Sequence, residues 1–181
     1  MDELAALVGE RVRTARQERG LTVAALAQAA GIGKGSLSEL EHGARNPTLS
    51  TLYALANALA LPLAHLLSGR VGARLSEPGI EGRLLDVSTD ADWTVEIYRM
   101  TFAPGAERHS GGHGPGVVEH LLVTAGRLRV GPVGEEREIG AGETSTWDSD
   151  VAHVYVAVGA GPVEAVVVIR SPSASTLGRN H

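Results

Sequence analysis

The chain has 181 residues, a formal net charge of −5, no cysteine and only 3% aromatic residues. Its length accommodates one large or two small domains, two being expected, with cores built from Ala, Val and Leu. The missing cysteines exclude disulfides and thiolate metal sites, and the acidic balance argues against indiscriminate nucleic-acid binding. With no long apolar run and no signal-peptide pattern, a soluble cytoplasmic protein without a membrane partner is expected.

Apolar residues recur at helical spacing at Leu4, Leu7, Val8, Val12 and Ala15, and Gly20 closes this first helix. Thr22 is an N-cap candidate for a second, on which Leu26, Ala27 and Ala30 form a small apolar face suited to close helix packing. The stretch GIGKGSLSELEHGARNP, from Gly31 to Pro47, then describes a short helix between glycine stops. Gly31 caps the preceding helix, Gly33 stands at the N-cap and Gly43 terminates. Leu37 and Leu40 share the inward face, which leaves Lys34, Gly35, Ser38 and Glu39 on an outward stripe.

That stripe reads as the face of a DNA-recognition helix, with Lys34, Ser38 and Glu39 near bases and Ser36 or Arg45 near phosphate. Lys34 is the only lysine, and residues 1–69 carry six basic and six acidic side chains. DNA contact must therefore come from a local patch rather than from bulk charge. After the Asn46-Pro47 loop, Thr48 caps a helix through Leu49, Leu52, Leu55, Ala56 and Leu59, and Pro62 begins a last turn from Leu63 to Leu67.

The segment LTVAALAQAAGIGKGSLSELEHGARNPTLSTLYALANALAL resembles the phage-repressor or Xre-like helix-turn-helix family in the register of its LA, AG, LS, LE, G and NP positions and its spaced leucines. The resemblance implies a double-stranded DNA operator and a structural ion pair between Arg16 and Glu41. Two positions depart from the pattern. Gly33 stands where such proteins commonly carry Ser or Thr, and Gly35 costs about 1 kcal/mol of helix propensity relative to Ala.

From Ser68 to Gly82 the periodicity dissolves, and afterwards only short β-type runs appear: 83–87, 93–102, 117–124, 127–130, 144–147, 153–158 and 163–169. Turn signals at roughly ten-residue spacing suggest a sandwich or barrel. The expected division is a helical DNA-binding domain over 1–68, a linker over 69–82, a β-domain over 83–170 and a Ser-rich mobile tail over 171–181. The charge run Glu135, Glu136, Arg137 and Glu138 reads as the solvated face of a hairpin.

His113, Glu119 and His153 lie on or beside separate predicted strands, where a carboxylate and two imidazoles can meet inside a barrel and suit a divalent first-row metal. PGAERHSGGHGPGVVEHLLVTAG and AGETSTWDSDVAHVY resemble the two motifs of the cupin family through Gly105, His113, Glu119 and Gly126 and through Gly142 and His153. The resemblance implies a β-barrel whose ligand pocket, and any metal ion (Zn, Fe, Ni or Mn), is formed by His113, Glu119 and His153. Gly111 replaces the first histidine of the usual pair, and His109, on a glycine-rich loop, is a candidate to swing in for it. Alternatively, the barrel binds an organic ligand without metal and Glu119 pairs with Arg127 or Arg129. His120 alternates to the outside, and Trp93 and Trp147 read as buried structural indoles rather than cavity-lining ones.

The fold class expected is therefore α+β as two domains, a five-helix all-α helix-turn-helix domain and an all-β cupin barrel. The function expected is a homodimeric transcriptional regulator in which the barrel senses a small-molecule effector. The alternative is a mononuclear-metal cupin enzyme, since a helical domain joined to a cupin also resembles the epoxidase of hydroxypropylphosphonate, with His113, Glu119 and His153 holding its metal.

Overall fold

The computed structural model describes residues 3–173. They form two compact units that divide between Ala73 and Arg74. The first holds five helices: α1 (Glu3–Glu18), α2 (Val23–Ala29), α3 (Lys34–Glu41), α4 (Leu49–Ala58) and α5 (Leu63–Leu66). The expected caps form. Thr22 Oγ1 accepts from the Ala25 amide at 3.1 Å and Thr48 Oγ1 from the Thr51 amide at 3.2 Å. Gly31 and Gly43 take left-handed φ values of 64° and 67° at the ends of α2 and α3. Leu26, Leu37, Leu40, Leu52, Leu55 and Leu66 are fully buried between the helices.

Two contacts fix α1 against α3. Arg16 Nε and Nη2 donate to Glu41 Oε1 and Oε2 at 2.6 and 2.8 Å, the fork-to-carboxylate geometry that makes a buried charge pair tolerable. Arg16 Nη1 also donates to the Leu21 carbonyl at 2.8 Å. Glu41 raises the Arg16 pKa through this hydrogen bond, although burial opposes the shift. About two turns of α1 away from this pair, Gly9 passes so close to α3 that a Cβ there would overlap the Leu40 carbonyl oxygen.

The second unit has ten strands: β1 (Arg74–Glu77), β2 (Ile80–Thr89), β3 (Trp93–Phe102), β4 (Glu107–Ser110), β5 (Val118–Ala125), β6 (Arg127–Pro132), β7 (Arg137–Gly140), β8 (Thr144–Asp148), β9 (His153–Ala157) and β10 (Val163–Pro172). All the pairings are antiparallel, in sheets of order β1-β2-β3-β10-β5-β8 and β4-β9-β6-β7. From β3 to β10 this is the jelly-roll order, in which the chain crosses between sheets at nearly every connection. Each sheet is hydrogen-bonded separately, so the expected barrel takes the form of a two-sheet sandwich. Strict alternation of burial along β3, β5 and β10 gives each strand one interior face.

Three expectations need correction. The stretch assigned to the linker, 69–82, contains β1 and the start of β2, because Arg74–Glu77 pairs with Ile80–Arg83 around the Pro78-Gly79 turn and buries Leu75 and Ile80. Its four residues are too few to display a period. β4 and β7 are likewise strands that short, breaker-rich sequence concealed. Of the tail expected over 171–181, Ser171 and Pro172 complete β10, and the residues from 174 onward lie outside the described part. Among the described residues no helix is long and apolar enough to cross a membrane.

Replacing Gly9 by Ala should force α1 and α3 apart and destabilise the helical unit by about 2 kcal/mol, the usual cost of overpacking. Urea unfolding of the full chain followed by helical circular dichroism measures it; an unchanged midpoint would contradict the close approach.

Candidate metal centre and nucleic-acid interface

Four polar side chains converge on Glu119, whose side chain is fully buried on the inner face of β5. Ser149 Oγ donates to Oε1 at 2.7 Å, and the Tyr155 hydroxyl donates to Oε2. His113 Nε2 lies 3.0 Å and His153 Nε2 3.3 Å from the same Oε1. The ligand atoms of His113, Glu119 and His153 all lie within 4.8 Å of one another, the one such group among the described residues.

Local structure explains each placement. His153 opens β9 facing inward, and Tyr155 shares that face two residues later. His113 lies in the β4–β5 loop, where its amide donates to the Ser149 carbonyl at 2.6 Å. Gly112 permits this approach, since a Cβ there would overlap the Asp150 carbonyl. Gly111, at the position of the missing histidine, is exposed.

The protonation pattern suits a cation. His153 Nδ1 lies 3.0 Å from the Val151 carbonyl, an acceptor only, so Nδ1 carries the proton. In the neutral imidazole, Nε2 then presents a lone pair, and this buried atom has no hydrogen-bond partner. A lone pair facing the Glu119 carboxylate at 3.3 Å is repulsive unless a proton or metal ion lies between them. Nitrogen and oxygen ligands about 2.0–2.2 Å from a divalent ion sit roughly 3–3.5 Å apart, close to the two histidine-to-carboxylate separations present here. The three residues thus fit a metal site that leaves a position open.

Without metal, burial pushes the Glu119 carboxyl up, but the hydrogen bonds and charges of His113 and His153 outweigh it, and the pKa ends far below the ordinary 4.5. For His153 burial and Arg108 push downward, while Glu119 and the Val151 carbonyl prevail and raise it above 6.5.

His109 does not join this group. It is on β4, exposed, with Nε2 against Glu107 Oε1, because alternation along β4 turns Arg108 and Ser110 inward instead. Arg127 pairs with Glu138 at 3.0 Å rather than with Glu119. His120 faces outward against Thr146. Trp147 is buried against His153 and Tyr155, with ring centroids 5.7 and 5.9 Å away, whereas Trp93 is half-buried beneath the Arg170 guanidinium at 4.1 Å. Sequence reasoning missed Tyr155, which its two-residue spacing from His153 would have revealed. It also missed Ser149 and the interior ion pair Arg108–Glu77 at 2.7 Å, for which no local signal exists.

On the helical unit, Lys34, Gly35 and Glu39 are exposed along α3, with Ser36 and Ser38 half-buried beside them. Arg45 is exposed past the end of α3, where Nη1 donates to Ser36 Oγ at 3.3 Å and lies 3.9 Å from Glu39. Gly33 supplies no side-chain cap, leaving the first amides of α3 without a side-chain acceptor from that position.

A helix-turn-helix family model (HTH_3) matches residues 12–66. The chain is 29% identical over 159 residues to the HTH-type transcriptional regulator SutR of Escherichia coli, covering 86% of this chain and 89% of that protein. It is 42% identical over 62 residues to y4dJ of Sinorhizobium fredii, an uncharacterized HTH-type transcriptional regulator, covering 34% of this chain and 80% of that one. An HTH_3-family regulator from Vibrio cholerae has the same fold, with a TM-score of 0.81 at 24% identity over 94% of this chain and 98% of that one. The chain belongs to the HTH_3 family of helix-turn-helix transcriptional regulators.

The two shifts define a pH optimum for the metal-free protein. The depressed Glu119 pKa contributes stability above 4.5 that is lost as pH falls toward its folded value; the raised His153 pKa contributes stability below 6.5 that is lost as pH rises through its folded value. In chelator, the thermal midpoint of the β-unit should peak between these limits, and Glu119→Gln should flatten both sides. A profile that keeps rising above neutrality would contradict the assignment.

Proposed function

We propose that the protein is a cytoplasmic one-component regulator that binds an operator through α3 and changes its DNA affinity when the β-sandwich takes up a small-molecule effector. The observation that carries the sensing half is the buried cluster of His113, Glu119 and His153, whose unpartnered Nε2 and shared carboxylate suit a bound divalent ion with an open position. Such an ion would act as a Lewis acid toward an effector, and these three side chains would hold it.

The DNA half rests on the exposed face of α3. Lys34 and Glu39 project from it and Ser38 lies beside them, within reach of base edges in a major groove. Ser36 and Arg45, joined at 3.3 Å, suit a phosphate together with the uncapped amides after Gly33. Glycine at position 35 leaves few side chains for readout, so useful specificity calls for two copies. We therefore assign a homodimer on a roughly palindromic site, with half-sites about one helical turn or a multiple of it apart.

The test is operator binding by the full chain on fragments selected from random duplex DNA. Lys34→Ala should weaken the selected site by about tenfold or more, corresponding to roughly 1–3 kcal/mol for a base contact, with circular dichroism unchanged. Equal affinity of parent and variant would remove α3 from the reading role, and no selectable site would contradict the regulator reading.

A further inference from the structure

Beside the histidine–carboxylate cluster lies a second unmet demand. Trp147 is 6% exposed on the inner face of β8, directly opposite Glu119 in the β5–β8 register. Its Nε1 is buried and has no hydrogen-bond partner. The indole N–H is donor only, and leaving a buried donor unmatched is unfavourable, so the site calls for an acceptor from outside the chain. Both unpartnered buried side-chain atoms identified among the described residues, Trp147 Nε1 and His153 Nε2, belong to rings whose centroids are 5.7 Å apart.

Their demands are complementary. His153 Nε2 asks for a cation, while Trp147 Nε1 asks for an acceptor such as an oxygen. A divalent ion beside the single carboxylate Glu119 leaves one net positive charge, which a monoanion would neutralise. The Arg108 guanidinium is also buried, on the inner face of β4. Its partner Glu77 lies at the β1 side, 2.7 Å away.

We infer that the effector is a small oxyanion of the carboxylate class, and that Trp147 Nε1 is the donor that selects it. The inference rests on the sensing site proposed above and adds the chemistry of what that site takes. Trp147 is then a ligand-binding residue rather than a purely structural indole. A cationic or purely apolar effector would leave its N–H unmatched.

The probes are acetate, acetamide as the neutral isostere and ammonium chloride as the cationic control, added to the full chain with Zn(II) and with chelator. With only two indoles in the chain, the ¹⁵N-indole spectrum resolves Trp147 from Trp93, assigned through Trp147→Phe. With Zn(II), acetate should move the Trp147 N–H signal saturably downfield while Trp93 stays, and the two controls should move neither. Trp147→Phe should weaken the acetate-dependent rise in thermal midpoint by about tenfold or more in acetate concentration, the fold-change expected for one hydrogen bond to a charged acceptor.

An unmoved Trp147 signal in Zn(II)-loaded protein would overturn the inference alone and leave the metal site standing. An equal response to acetamide would overturn the anion class. A Trp147 shift with acetate that is identical in chelator would support the acceptor site while removing the metal from the reading. Should Trp147→Phe fail to fold, the spectrum of the parent still decides, its two signals being separated by Trp93→Phe.

Discussion

A carboxylate with no exposure to water dominates the β-sandwich. An ionised group in Glu119's position carries a desolvation cost of several kcal/mol, and the interior of the fold is arranged around compensating it. Ser149, Tyr155, His113 and His153 arrive from one strand and two loops. Gly112 lets the His113 loop reach Ser149, and the two-residue period of β9 sets His153 and Tyr155 on one face. With a neutral imidazole the network stops short of satisfying itself, because a proton on Nδ1 against the Val151 carbonyl leaves Nε2 bare toward the carboxylate, a gap that a proton or a metal ion fills. The proposed metal site makes use of that gap.

The helical unit solves the same problem in the opposite way. Arg16 and Glu41 satisfy one another through two short bonds, so their burial fixes α1 against α3. What α3 presents outward is correspondingly sparse. Glycines at 33 and 35 expose backbone, while Lys34 and Glu39 supply charge at two points and Arg45 is tethered to Ser36. Family membership gives this unit its class, and the thinness of its reading face argues for recognition by two copies.

The helices were legible because their determinants are local: Thr22 and Thr48 cap, Gly31 and Gly43 stop, and the buried leucines recur at helical spacing. The long strands were legible through their alternation. β1, β4 and β7, of four residues each, show too little of a period, and reading His109 as a loop residue followed directly from missing β4. The ligand set His113, Glu119 and His153 emerged from residue type and motif resemblance. The atoms that make it a site, the Val151 carbonyl, Ser149 Oγ and the unmatched Trp147 N–H, are brought there by the crossing connections between sheets, which no local pattern encodes.

The central claim is that Glu119 and its two histidines form a cation site rather than a closed polar core. Equilibrium dialysis of the full chain against Zn(II) beside Glu119→Gln tests it most directly, with circular dichroism confirming that both are folded. The account predicts about one ion per chain for the parent and at least a tenfold weaker affinity for the variant, since the substitution keeps the shape and removes the charge. A folded parent that retains no metal, or a variant that retains it equally, would contradict the account.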